Sequence, residues 1–182
     1  MRNNVASWLV FIGVTQFILL LIVAEALYPG YSISNNYISD LGVGKTALIF
    51  NTSISILGIT LIIAGIVYTT KLPFRTTLTL TGLGALGVGL FPETTGDPHL
   101  LSALVAFLFS GISSYTALPT IKTPLKYFFP ILGTMGLLSL FLFITHNYAG
   151  IGEGGIERMI VYPNLIWALG YSSSKLSEVE VK

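Results

Sequence analysis

The sequence predicts an all-α integral membrane protein, a six-helix transmembrane bundle with both termini cytoplasmic. Three observations lead there. Hydrophobic residues make up 53% of the chain and charged residues only 9%, where a soluble domain carries roughly 25% charged residues. The apolar residues fall into six runs, each about long enough to cross ~30 Å of hydrocarbon as a helix. The charges between those runs are sorted by side.

The first run, Trp8–Leu27, ends in Ala24-Glu25-Ala26, a small-x-small pattern of the kind that follows a signal peptide. The run is longer than the usual apolar core of such a peptide, and its basic start is a single arginine. It is therefore read as an uncleaved helix. The second run is Ala47–Tyr68. The third, Thr77–Phe91, is short and contains Gly82, Gly84 and Gly87 in the spacing G-x-G-x-x-G. A dinucleotide site needs a strand before that motif and a soluble βαβ unit around it. Neither is present, so these glycines are expected to let neighbouring helices approach closely.

The fourth run, Leu100–Leu118, starts after Asp97 and Pro98, a pair suited to an N-cap and a first helical position. The fifth is Tyr127–Thr145, separated from the fourth by a turn containing Pro124. The sixth, Ile156–Tyr171, is again short, and Pro163 is expected to bend it. Residues 1–171 form one domain on this reading. The polar segment 172–182 is expected to be a frayed cytoplasmic tail.

A six-pass path puts Arg2, Lys71, Arg75, Lys122, Lys126, Lys175 and Lys182 on one side. Glu25, Asp40, Glu93, Asp97, Glu153 and Glu157 fall on the other. Lys and Arg in short loops mark the cytoplasmic side, so the chain reads as a multi-pass protein of the cell membrane with its acids facing out. Net charge is +1, which offers no footprint for nucleic acid. With no cysteine, disulfides, thiolate metal sites and cysteine nucleophiles are excluded.

The outer face carries both histidines and an arginine set apart from the other basic residues. His99 falls in the first turn of the fourth helix, where the dipole favours neutral imidazole. His146 falls at the end of the fifth, where imidazolium is favoured. Glu93 is close to His99 in sequence, and a carboxylate–imidazole pair can serve acid–base chemistry or half a metal site. Glu157 suits the start of the sixth helix and Arg158 does not. Arg158 therefore needs a carboxylate partner, Asp40 or Glu93 first, with Glu25 near the same cluster. The alternative for each residue is structural: caps at helix ends and an ion pair that staples the outer loops.

Several motifs recur in order along the chain. They are Pro29-Gly30-Tyr31, Ile38-Ser39-Asp40-Leu41-Gly42, Phe50-Asn51, Gly89-Leu90-Phe91-Pro92-Glu93 with His99, and Glu157-Arg158 with Tyr162-Pro163 and Trp167. In this the sequence resembles the polytopic membrane family catalogued as domain of unknown function 998. The resemblance implies a six-helix membrane bundle and brings no established activity, cofactor or catalytic residues.

The expected function is binding of a small polar or lipid-headgroup ligand in an outer pocket lined by Asp40, Glu93, His99, His146, Glu157 and Arg158. Glu93, His99 and His146 are expected to approach one another closely enough to share a divalent ion. Three alternatives stand beside this reading. One is a metal- or acid–base-dependent hydrolase acting on lipid. Another is an accessory subunit of a larger membrane complex. The third is a small transporter, or a haem protein using His99 and His146.

Overall fold

A computed structural model describes residues 1–180. Among the described residues the chain is helical with no strand. Its six long helices are α1 (Arg2–Leu27), α2 (Ala47–Val67), α3 (Leu72–Leu90), α4 (Asp97–Thr116), α5 (Phe129–Ile144) and α6 (Glu153–Glu180). Four segments are long and apolar enough to cross a membrane unaided: Arg2–Leu27, Gly44–Val67, Asp97–Thr116 and Pro124–Ile144. Helix α3 is diluted by threonine and glycine, and α6 by Glu157, Arg158 and Asn164. Both are packed among the apolar four.

Sequential neighbours pack against each other, and α6 closes the ring on α1. Short connections force this antiparallel arrangement. The outward faces keep large apolar side chains exposed, among them Leu19, Ile63, Leu138 and Phe141. Exposure of that kind suits a lipid solvent.

Glycine sets the spacing of α2, α3 and α4. A Cβ on Gly58 of α2 would lie 2.4 Å from the backbone nitrogen of Leu86, and one on Gly84 would lie 2.3 Å from that of Ala106 in α4. The glycines of the G-x-G-x-x-G spacing are thus helix contacts. Helix α3 touches a neighbour on both sides because its small residues face both ways.

Two ends can be told apart by their contacts. At the acidic end, Arg158 of α6 reaches Glu25 of α1 at 2.7 Å. At the basic end, the Tyr68 hydroxyl meets Ser7 at 2.9 Å, and the Tyr171 hydroxyl meets Thr120 at 2.9 Å. Tyr68, Phe74, Phe129, Trp167 and Tyr171 form a buried aromatic cluster toward that end.

The polar tail differs from expectation. Helix α6 runs without interruption to Glu180. Its last turns are held where Lys175 Nζ donates to the Thr120 carbonyl at 2.6 Å and the Lys122 N–H donates to Glu178 at 2.5 Å. Hydropathy finds only the apolar middle of such a helix. Lys182 lies outside the described residues.

Candidate functional site

The loop between α1 and α2 is the longest in the chain and carries almost no apolar anchor except Ile38 and Leu41, both buried. It is held over the acidic end of the bundle by the first turns of α6. Arg158 Nη1 donates to the carbonyls of Ile33 (3.0 Å), Asn36 (3.1 Å) and Gly154 (2.8 Å). Its Nη2 donates to Glu25 (2.7 Å) and to the Tyr31 hydroxyl (2.5 Å). The planar guanidinium suits this fork of five acceptors, which an ammonium does not match. Glu157 accepts from the Ile38 backbone N–H, and Glu153 accepts from the Tyr37 hydroxyl at 2.8 Å. Three side chains from the first turns of α6, Glu153, Glu157 and Arg158, therefore fix the loop to one helix.

Within the loop Asp40 makes a local turn. It accepts from the Asn36 amide at 2.8 Å and from the Tyr37 N–H at 3.1 Å. Glu93, in the short turn after α3, lies against Asp40 and Ser39. Partial burial pushes its carboxyl up to about 7, and the Asp40 carboxylate adds to the shift while Ser39 opposes it. Burial also pushes the Tyr31 phenol up to about 12, against the pull of Arg158.

Beneath the loop lies a cavity ringed by α1, α2, α3, α4 and α6. Its volume is about 100 Å³. Phe17, Phe50, Leu57, Leu78, Val161 and Trp167 form much of its wall. Ser39, His99 and Glu157 line it at the loop end, and Thr81, Ser110 and Asn164 line it deeper in the bundle. His99 is buried, and its Nδ1 lies 2.8 Å from the Phe91 carbonyl. A carbonyl only accepts, so Nδ1 carries the hydrogen. In the neutral ring Nε2 then keeps its lone pair. No described residue donates a hydrogen bond to that nitrogen.

Residues 11–174 match the family model described as Protein of unknown function (DUF998). The chain belongs to this family. No curated protein and no solved structure matches the chain. For this DUF998 member the chemistry therefore rests on the placement of its own side chains.

The six residues singled out in sequence divide into three groups. His99 and Glu157 share the cavity. Asp40, Glu93 and Arg158 sit at the same end but serve the loop and its neighbours. His146 stands apart: it is exposed, ends α5 with φ 55°, and meets the Tyr148 hydroxyl at 3.0 Å.

Two expectations need correction. Arg158 pairs with Glu25, not with Asp40 or Glu93, because Asp40 is occupied by Asn36 and Tyr37 while Glu25 faces the arginine from α1. Glu93, His99 and His146 do not converge on a metal. Among the described residues no group of three His, Asp or Glu side chains is arranged to hold one. His99 is turned to the Phe91 carbonyl and His146 to Tyr148, each a local contact.

Sequence reasoning missed the apolar wall and the role of Tyr31 and Tyr37. One signal for the tyrosines was present: the loop holds three aromatic residues, Tyr28, Tyr31 and Tyr37, among small polar ones. The wall gave none, because in an apolar chain cavity-lining and lipid-facing residues have the same composition.

Proposed function

We propose that this protein binds an amphiphile in the membrane, with the apolar body in the central cavity and a small polar head beneath the α1–α2 loop. One observation carries the reading: among the residues lining a largely apolar cavity, the two ionisable ones, His99 and Glu157, lie with Ser39 at one end, while Thr81, Ser110 and Asn164 on the rest of the wall donate within their own helices. Ligand sites commonly combine an apolar lining with a few placed polar groups. His99 Nε2, an acceptor once Nδ1 carries the hydrogen, favours a head that donates hydrogen bonds, such as a hydroxyl. Arg158 with Glu25, Glu153 and Asp40 hold the cover in place. The sorting of Lys and Arg supports a cell-membrane location with both termini cytoplasmic and the cavity's polar end near the outer leaflet.

The test uses the two tryptophans. Trp8 is exposed on α1 and Trp167 is buried against the cavity. In a Trp8→Phe variant, a brominated monoacylglycerol should quench the remaining fluorescence saturably. Ala103→Phe, which fills part of the cavity, should abolish the saturable part. Quenching that rises without saturation, or is equal in both variants, contradicts the reading.

A second reading is favoured by the tautomer of His99. An imidazole whose Nδ1–H is fixed by a carbonyl presents Nε2 as a general base. Hydrolysis of a bound ester by an activated water would use it. Release of fatty acid from the same monoacylglycerol, lost in His99→Gln with binding retained, supports this version. Binding without turnover leaves the protein a binder.

A further inference from the structure

The opposite end of the bundle holds a second concavity that the amphiphile reading does not use. It is formed where three connections meet: the start of α1 with Asn3, the α2–α3 turn with Thr69, Thr70 and Lys71, and the α4–α5 turn with Pro119 and Thr120, closed by Lys175 of α6. Its volume is about 410 Å³. Among the described residues no carboxylate lines it. Lys71 and Lys175, distant in sequence, both line it, and no other described lysine or arginine does.

The hydrogen-bond inventory leaves donors over. Asn3 Oδ1 accepts from the N–H of Thr69 at 2.8 Å and from its hydroxyl at 2.9 Å. That fixes the amide, and the side-chain NH₂ of Asn3 donates to no described residue. Lys175 uses two of its three hydrogens, on the Thr120 carbonyl at 2.6 Å and on Glu178 at 2.9 Å. Lys71 makes no ion pair or side-chain hydrogen bond among the described residues, and neither does the Thr70 hydroxyl. Lys71 is also the residue before the first turn of α3, which no side chain caps. The positive end of that helix dipole adds to the field.

We propose that this basic-end pocket binds a phosphate group, held by Lys71, Lys175, the Asn3 amide and the Thr70 hydroxyl. The unused donors come from three separate segments of the chain, and a tetrahedral anion with several acceptor oxygens can engage them together better than a planar carboxylate can. Glu178 offsets part of the Lys175 charge, which leaves Lys71 the uncompensated cation. The phosphate can come from an anionic lipid headgroup, since the pocket lies at the end of a membrane bundle, or from free phosphate.

The experiment has two arms on the full chain. Inorganic phosphate is titrated in neutral detergent with thermal unfolding as the readout. Phosphatidic acid adducts are counted by native mass spectrometry, against phosphatidylcholine. Lys71→Gln is the test variant, because Lys71 is exposed and its side chain bonds to no described residue. Lys126→Gln, a half-buried lysine of the same end that does not line the pocket, is the control. Binding in either arm, weakened about fivefold by Lys71→Gln and unchanged by Lys126→Gln, is the expected result; one basic side chain near a membrane surface is worth roughly that. Saturation by free phosphate identifies the soluble source, and phosphatidic acid alone identifies the lipid. No binding in either arm overturns the proposal. So does equal loss in the two variants, which indicates diffuse surface charge.

Discussion

Replacing Arg158 by alanine should be the most damaging single change at the acidic end. The guanidinium is 5% exposed and its partner Glu25 is 17% exposed. Removing it strands the Glu25 carboxylate and the carbonyls of Ile33 and Asn36, which hold the loop. Breaking a buried pair on one side typically costs about 3–5 kcal/mol, because the remaining charge is unpaired. Arg75 provides the comparison. It donates to the carbonyls of Gly65 and Ile66 at 3.1 and 3.0 Å, with no carboxylate partner, at a more exposed site. Arg75→Ala should cost about 1–2 kcal/mol, within the range for hydrogen bonds made by a charged group. The assay is unfolding in mixed micelles followed by circular dichroism. A double variant, Glu25→Gln with Arg158→Met, should lose less than the sum of its parts by about 1–3 kcal/mol. Equal losses for Arg158→Ala and Arg75→Ala, or strict additivity in the cycle, refute the argument that this arginine pins the loop.

Glu93 should make stability depend on pH. Its folded value of about 7 lies above that of an ordinary carboxylate, so between the two the folded chain holds a proton the unfolded chain has lost. Stability therefore falls as pH rises through that window. Burial is the main source, the Asp40 and Glu153 carboxylates add to it, and Ser39 opposes it. Glu93→Gln should flatten the melting temperature between pH 5 and 7, roughly the span of the shift; an unchanged slope contradicts this. Gly58→Ala should destabilise by about 1–3 kcal/mol or more through overpacking against the backbone of α3. Gly170→Ala, whose nearest neighbour is a ring atom of Phe129 at 3.1 Å, should cost less in the same assay. Single cysteines at Lys45, Thr95 and Asn147, all exposed, should react with an impermeant maleimide from outside intact cells. Protection of any of them overturns the proposed orientation. These sites avoid Gly44, Gly96 and Gly150, whose φ values of 71°, 71° and 78° disfavour a side chain.

The helices were legible because hydrophobicity in a membrane chain is nearly a direct record of span. The second run was expected from Ala47 to Tyr68, and α2 is Ala47–Val67. Ends were less legible where helices continue beyond hydrocarbon. Helix α1 starts at Arg2 and α6 extends to Glu180, because polar residues there bond to turns and to one another. At the site, the need of Arg158 for a carboxylate was readable from its position at a positive helix end. Which carboxylate it finds was not, since that depends on α1 and α6 closing the ring. Three of its five acceptors are backbone carbonyls, Ile33, Asn36 and Gly154, and a backbone carbonyl leaves no trace in residue identity. The expectation for Glu93, His99 and His146 rested on chain proximity alone, and the turn of His99 toward the Phe91 carbonyl defeats it.

The central claim is that an amphiphile's tail enters the ring of helices and does not stay at its lipid-facing surface. Photo-crosslinking of a monoacylglycerol carrying a diazirine near its tail end, followed by peptide mapping, tests this most directly. The account predicts label on the cavity wall, at Phe17, Leu57, Leu78 and Trp167, suppressed by excess unlabelled monoacylglycerol and by Ala103→Phe. Label confined to outward residues such as Leu19, Ile63 and Leu138, insensitive to competitor, contradicts it.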